Sequence, residues 1–401
     1  MDADVLIVGA GPAGSACAAF LARAGRRVVV IDRDAFPREK PCSEYMSPAT
    51  VRVLDRLGVG RALREAGATP LHGTRVHTAG GALHGRFAPS VRDPFPETGL
   101  AVARRELDLA LVRAARAAGA TVLESTQLGD LTRAGDGRIV GAAIATPEGA
   151  LSVRAPLTIG ADGLRSRVAR SLGGRRHGHP RRYAFVAHVT GVPDLHDTAE
   201  MHVGPDGYVG LNPIGGGVAN VALVVPERVA NDARGRLEPF FLERLATFPG
   251  VRGRVAAAGI VREVLATGPF AAWSSRVTAP GALLVGDAAD FFDPFTGEGI
   301  CSALRGAEMV AATAGEALDD GPARLDAALR EYRWARRRAF AGKWAVERLI
   351  GYAMEWPALF DHAVRRIGRR GGMADTLVGV TGDLVPARRV LNPLFLARMV
   401  V

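Results

Sequence analysis

Apolar residues in this chain fall in short runs separated by glycine, proline and charge. Asp4-Val-Leu-Ile-Val8 is a run of the buried-strand kind, and Val28-Val-Val-Ile31 is another. Between them, Gly9 to Gly14 is glycine-rich and Ser15 to Ala24 is a small-residue helix ending at Gly25. Strand, turn, helix and strand within about 30 residues predict a βαβ unit with parallel strands. Helical spacing follows at 49–57 and 60–66, and again from Arg104 to Ala118, with Leu107, Leu111 and Ala115 on one face. Residues 71–100 read as hairpins and 120–159 as short strands with turns at 135–137 and 147–149. Leu157-Thr-Ile159 is a strand, and Arg165 to Leu172 a helix.

The pattern then changes. Residues 173–182 are basic and glycine-rich, and from 183 to 266 the chain reads as antiparallel strands at 183–189, 199–203, 208–213, 218–225 and 260–266. A helix at 237–247 interrupts them, and Gly215-Gly-Gly217 is a hairpin turn. Ala282-Leu-Leu-Val285 is a buried strand again; 300–317 and most of 323–355 are helical. The expected fold is α/β: a Rossmann-type dinucleotide-binding domain from 1–75, 101–175 and 267–320, an inserted antiparallel β-sheet domain for substrate from 76–100 and 176–266, and a helical C-terminal region over 321–401.

Composition removes whole classes. With 48% hydrophobic and 23% charged residues, the 401-residue chain is neither disordered nor fibrous. Three cysteines, Cys17, Cys42 and Cys301, make no disulfide framework, and their spacing matches no metal site. No apolar run reaches the ~20 residues of a membrane span, and the acidic start is unlike a signal peptide, so a cytoplasmic location is expected. The net charge of +10 raises a nucleic-acid reading, but Lys40 and Lys343 are the only lysines and the arginines are scattered. No nucleic-acid motif accompanies them, and a membrane-surface role for the basic run Arg336-Arg-Arg338 ranks behind a solvated helix face.

The chemistry sits at three points. Gly9-Ala10-Gly11-Pro12-Ala13-Gly14 follows a strand and opens a helix, the context a dinucleotide fingerprint requires: a tight turn, close approach to a pyrophosphate, and a helix N-terminus facing it. Asp32, with Arg33 beside it, closes the second strand where a carboxylate accepts ribose hydroxyls; it would repel a 2′-phosphate. Gly286-Asp287 ends a later strand, and Pro294-Phe-Thr296-Gly297-Glu298-Gly299 opens the helix at Ile300. A carboxylate there suits a polyol hydroxyl, and the helix start suits a partly negative carbonyl, which selects FAD over NAD as the occupant.

In this order the blocks resemble the FAD-dependent group of para-hydroxybenzoate-hydroxylase-type monooxygenases, geranylgeranyl reductases and flavin-dependent halogenases. Gly160-Ala-Asp162-Gly163 is similar to the family's Asp-Gly block, and Arg104-Arg-Glu-Leu-Asp108 to its Arg-x-x-Leu-Asp, which implies FAD contacts at Asp162 and Arg104. Phe36-Pro37-Arg38-x-Lys40-Pro41-Cys42 resembles a segment of the geranylgeranyl reductases that runs near the flavin. Those continue with glycines; this chain continues Ser43-Glu44-Tyr45-Met46, so hydroxylation stands ahead of isoprenoid double-bond reduction. Halogenation, for which Trp-x-Trp-x-Ile-Pro is missing, and flavin binding without turnover stand third. The resemblance implies a monooxygenase of secondary metabolism acting on an apolar phenolic or polyketide-like molecule, with O2 as oxygen source. NAD(P)H would dock transiently, since no second dinucleotide fingerprint is present, or a separate flavin reductase would supply electrons. Cys42, Tyr45, Pro294 and Phe295 are candidates beside the flavin, and Tyr208, Asn212 and Trp273 candidates for a substrate pocket. His188 and His202 read as sheet residues.

Overall fold

The computed structural model describes residues 1–87 and 96–400. Part of the segment 76–100 assigned to the inserted sheet therefore lies outside the described residues. The fold is built on two large sheets. The first has six strands in the order Thr278–Ala279, Ala282–Leu284, Leu157–Gly160, Val5–Val8, Val28–Ile31 and Thr121–Leu123. All neighbours pair in parallel except Thr278–Ala279 with Ala282–Leu284. Burial on both faces explains the uninterrupted apolar run. Val5 and Ile7 pack among the helices Pro12–Arg23, Arg104–Ala117 and Gly299–Val310, while Leu6 and Val8 pack toward a three-stranded antiparallel sheet formed by Gln127–Arg133, Ile139–Thr146 and Gly149–Arg154.

The second sheet has seven strands, in the order Ile260–Thr267, Arg182–Thr190, Val218–Pro226, Gly207–Gly215, Ala199–Gly204, Gly73–Thr78 and Gly81–Arg86. Phe185, Leu211 and Leu223 face the helix Leu237–Leu245 and its Phe240 and Phe241. Alternation turns Ala184, Val186, Ala222 and Val224 to the other face, toward the C-terminal helices. The helices Pro357–Gly368 and Gly371–Thr381 pack on the outermost strand, Gly81–Arg86, and so cover that sheet edge.

Four details depart from the expectation. The sheet is not wholly antiparallel, because Ala199–Gly204 runs parallel to Gly73–Thr78. It also begins at Gly73, three residues before the expected boundary, whereas Gly99–Ala101 pairs with Tyr45–Met46 and Thr69–Leu71 in a separate small sheet. The helix from Gly299 stays α-helical only to Val310, after which 311–315 form a π turn. Arg336 is not on a solvated face: it is 5% exposed and paired with Asp290 at 2.6 Å, while Arg337 and Arg338 are exposed. No helix among the described residues is long and apolar enough to cross a membrane.

Candidate functional site

A cavity of about 550 Å3 runs between the two sheets. At one end lies the glycine turn. Gly9 has φ +101°, and a Cβ there would stand 2.5 Å from the carbonyl oxygen of Ala161, so neither the backbone nor the space admits a side chain. A Cβ at Gly14 would run into the carbonyl of Gly9. Gly11 caps the helix Pro12–Arg23 without a side-chain hydrogen bond, which leaves the start of that helix open to an anion. Ala13 lines the cavity beside it.

Asp32 holds this end together. Its Oδ2 accepts the Ala10 amide at 2.7 Å, and its Oδ1 accepts the Asp34 amide at 3.0 Å and Arg38 Nη1 at 2.8 Å. Arg38 also reaches Asp34 at 3.0 Å and Asp108 at 3.4 Å. Asp108 takes two hydrogen bonds from the buried Arg104, at 2.9 and 3.0 Å. Arg33 stands exposed at the rim. Lys40 lines the cavity, and burial, with Arg38 and Arg104 nearby, pushes its pKa down.

The middle of the cavity belongs to Gly286-Asp287 and the turn from Pro294 to Ile300. The Asp287 carboxylate makes no hydrogen bond to the described residues. Burial raises its pKa to about 6, against the opposing pull of Arg104 and Lys40. A Cβ at Gly299 would stand 3.9 Å from Asp287 Oδ1, so this carboxylate and the start of helix Gly299–Val310 are neighbours. Gly297, at φ +70°, packs against the ring of Tyr45. Beneath the turn, the buried Glu298 accepts Lys343 Nζ and Ser47 Oγ, each at 3.3 Å on the same oxygen, while its Oε1 has no partner.

The far wall is the seven-stranded sheet. Ala184, Val186, Met201, Gly210, Ala222 and Val224 form an apolar floor. Tyr208 donates to Asp293 Oδ1 at 2.7 Å, packs edge-on to Phe295, and has its pKa raised by burial. Asp293 also takes Arg182 Nη1 at 2.7 Å and the Phe295 amide at 3.0 Å. Asn212 and Asn220 donate to the carbonyls of Ser43 and Cys42, at 2.9 and 2.8 Å, and so pin the loop 42–45 that crosses the cavity.

The structure thus gathers around one cavity Gly9, Gly11, Pro12, Ala13, Asp32, Arg33, Cys42, Tyr45, Arg104, Asp162, Tyr208, Asn212, Gly286, Asp287, Pro294, Phe295, Gly297, Gly299 and Ile300. Gly14 stands behind them, against Gly9. One expectation changes. Trp273 does not line the cavity: it is 40% exposed in the strand Ala272–Ser274, which lies between Arg175–His177 and Asp290–Phe291. Asp162 lines the cavity, and its carboxylate accepts Ser166 Oγ at 2.5 Å and the Arg167 amide at 2.6 Å. Sequence reasoning gave no role to Arg38, Lys40, Glu44, Asn220, Phe270 or Phe291. The segment around Arg38 and Lys40 carried a family resemblance that pointed there; the phenylalanines carried no signal. On the sheet's other side, His77, Glu200 and His202 cluster, but Glu200 is already held by Arg254 at 2.6 Å and His202 at 2.9 Å.

The family model described as FAD binding domain matches residues 2–343. The chain is 33% identical over 327 residues to the menaquinone reductase of Mycolicibacterium smegmatis, covering 77% of this chain and 75% of that protein. It is 30% identical over 345 residues to the digeranylgeranylglycerophospholipid reductase of Methanothrix thermoacetophila, with 83% of each covered. Among solved structures, a flavoprotein/dehydrogenase from Cytophaga hutchinsonii superposes with a TM-score of 0.85 at 19% identity, over 98% of this chain and 95% of that one.

Proposed function

The chain belongs to the FAD-binding family and is an FAD-dependent oxidoreductase; on that premise we propose that it reduces a carbon–carbon double bond in an apolar, isoprenoid-type molecule. The observation that carries this reading is the cavity floor. It is mostly alanine, glycine, valine and methionine, with Thr74, Asn212 and Thr267 as its neutral polar side chains; among the described residues Tyr208 is the only ionisable group on it, and Tyr208 already donates to Asp293. Such a surface suits a hydrocarbon chain. Phenol hydroxylation needs a group to take the phenolic proton, and the floor presents none. The likeness to two named reductases at 30–33% identity supports the same choice.

FAD fits the residues present. The open start of helix Pro12–Arg23 would take the pyrophosphate, Asp32 the ribose, Asp287 a ribityl hydroxyl, and the start of helix Gly299–Val310 the pyrimidine edge. The unpaired, desolvated Asp287 is the strongest sign of a missing hydroxyl partner. When bound, FAD supplies hydride transfer. The protein binds and aligns the chain, excludes water, and holds the Cys42–Tyr45 loop over the site. In this reading 1–75, 101–175 and 267–320 hold the cofactor, 76–100 and 176–266 the substrate, and the C-terminal helices close the cavity. NAD(P)H or a separate reductase would reduce the flavin.

A second reading, monooxygenation with O2, is favoured by Tyr208 and Asp293, which could orient a hydroxylated ring. The test is incubation of the reduced holoprotein with a polyprenyl quinone and with apolar phenols, with and without O2. Two hydrogens gained on the prenyl chain without O2, and kept after the quinone ring is reoxidised, support double-bond reduction; gain of one oxygen atom, only with O2, overturns it.

A further inference from the structure

We propose that the outer face of the C-terminal helices docks on an anionic lipid surface. The proposal stands on exposure and charge and does not depend on the reaction. Tyr352, Trp356 and Leu359 lie at the corner between the helices Gly321–Ala353 and Pro357–Gly368, and are 45%, 70% and 48% exposed. Leu394, on the helix Pro393–Val400 that packs against Pro357–Gly368, is 59% exposed. Exposed Trp and Leu on neighbouring helices are the apolar half of an interfacial surface.

The charge is the other half. Residues 356–400 contain seven arginines and three aspartates, with no lysine or glutamate. The aspartates are occupied: Asp361 by Thr78, the Gly80 amide and, at 3.6 Å, Arg365; Asp375 by the Arg86 amide; Asp383 by Arg305. Arg365, Arg369, Arg388, Arg389 and Arg398 remain exposed. On Pro357–Gly368 the buried stripe is Phe360, Val364 and Ile367, and Leu359, Arg365 and Arg369 stand outside it. Arginines would bind any polyanion; the aromatic and aliphatic side chains beside them select a bilayer over nucleic acid. With no membrane-crossing helix among the described residues, the contact is peripheral. It also lies close to the cavity: Phe360 packs edge-on against the cavity-lining Phe295, with ring centres 6.1 Å apart.

The experiment is flotation of the yellow full-length protein with vesicles of phosphatidylcholine containing phosphatidylglycerol, against phosphatidylcholine alone. The wild type should float with the first and not the second. Arg365→Glu/Arg369→Glu should lose at least about 25-fold in partitioning, roughly fivefold for each basic residue near such a surface, and Trp356→Ser/Leu359→Ser should lose about tenfold through its buried apolar area. Tryptic cleavage of the wild type at its exposed arginines between 365 and 398 should slow with the anionic vesicles only. Absence of flotation, or unchanged cleavage, overturns the proposal. Flotation insensitive to Trp356→Ser/Leu359→Ser, with equal binding to a DNA duplex, would make the face a general polyanion surface and overturn it too.

Discussion

His188 Nε2 lies 2.8 Å from Glu44 Oε2, although 144 residues separate the two in the chain. Glu44 has φ +59° and is 1% exposed. Its other oxygen accepts the Arg104 amide at 2.7 Å, and Asn220 donates to the same oxygen as His188, at 2.9 Å. Two residues after Cys42 the chain holds a strained backbone with a carboxylate that ties the loop to the sheet and to the start of helix Arg104–Ala117. Glu44→Ala should free the loop and expose Cys42. Cys17 and Cys301 are buried, so reaction with a thiol reagent reports Cys42 alone. Losing hydrogen bonds to a charged group, worth about 1.5–3 kcal/mol each, should speed that reaction at least tenfold. A rate equal to wild type would remove Glu44 as the tie.

Asp287→Ala should weaken FAD binding by about 10- to 150-fold, the equivalent of one lost hydrogen bond to a charged acceptor. Titration of the apoprotein with FAD, followed by flavin fluorescence, measures this. Undiminished affinity would take Asp287 out of the site.

The same carboxylate should make flavin binding depend on pH. Its pKa is about 6 in the folded chain, against an ordinary 3.8. Between those values the folded state keeps a proton that the unfolded state has lost. The group's contribution to stability therefore falls as pH rises from about 4 to about 6, and stays lower above that. A hydroxyl donated by FAD favours the charged form, so FAD affinity should rise over the same interval. Burial is the main cause of the rise; Asp290 adds to it, and Arg104, Lys40 and Arg175 oppose it. Asp287→Asn should flatten both slopes; slopes unchanged in that variant would assign them to another residue.

Lys343→Met leaves Glu298 charged and buried without its cation. The two side chains are 5% and 1% exposed, so the loss should be about 3–5 kcal/mol in urea unfolding. Adding Glu298→Gln should recover much of it. A double variant as unstable as the single one would show that packing, not charge, holds this turn.

Apolar phenols or prenyl chains should perturb the flavin absorbance saturably, and benzoate-like acids should not. Among the described residues the sheet strands that line the cavity present no arginine to receive a carboxylate, and Arg182 on the same sheet is paired with Asp293. Desolvating an unpaired ion costs several kcal/mol. Tight binding of small aromatic acids alone would contradict this.

Much of the fold was legible because its signals are local. The strands expected at 183–189 and 218–225 are observed at Arg182–Thr190 and Val218–Pro226, and the helix expected at 104–118 at Arg104–Ala117. Glycine and acid spacing likewise marked Gly9, Asp32 and Asp287, since a tight turn leaves its trace within a few residues. What could not be read depends on distant partners. Arg336 sits in a basic run and looks solvated until Asp290, far off in sequence, is brought against it. The parallel pairing of Ala199–Gly204 with Gly73–Thr78 joins segments more than a hundred residues apart. Trp273 resembled a pocket residue by type alone, and its strand is drawn to Arg175–His177 instead.

The alanines and glycine at 184, 210 and 222 have a consequence for selectivity. Away from Thr74, Tyr208, Asn212 and Thr267, this floor offers little with which to reject a molecule for a group it lacks; there it distinguishes molecules by where they end. Discrimination by a single methylene in an apolar pocket reaches only about 1–3 kcal/mol. Homologous chains differing by a few carbons would therefore compete as near-equals, and their relative abundance, rather than a recognition step, would decide which one is turned over.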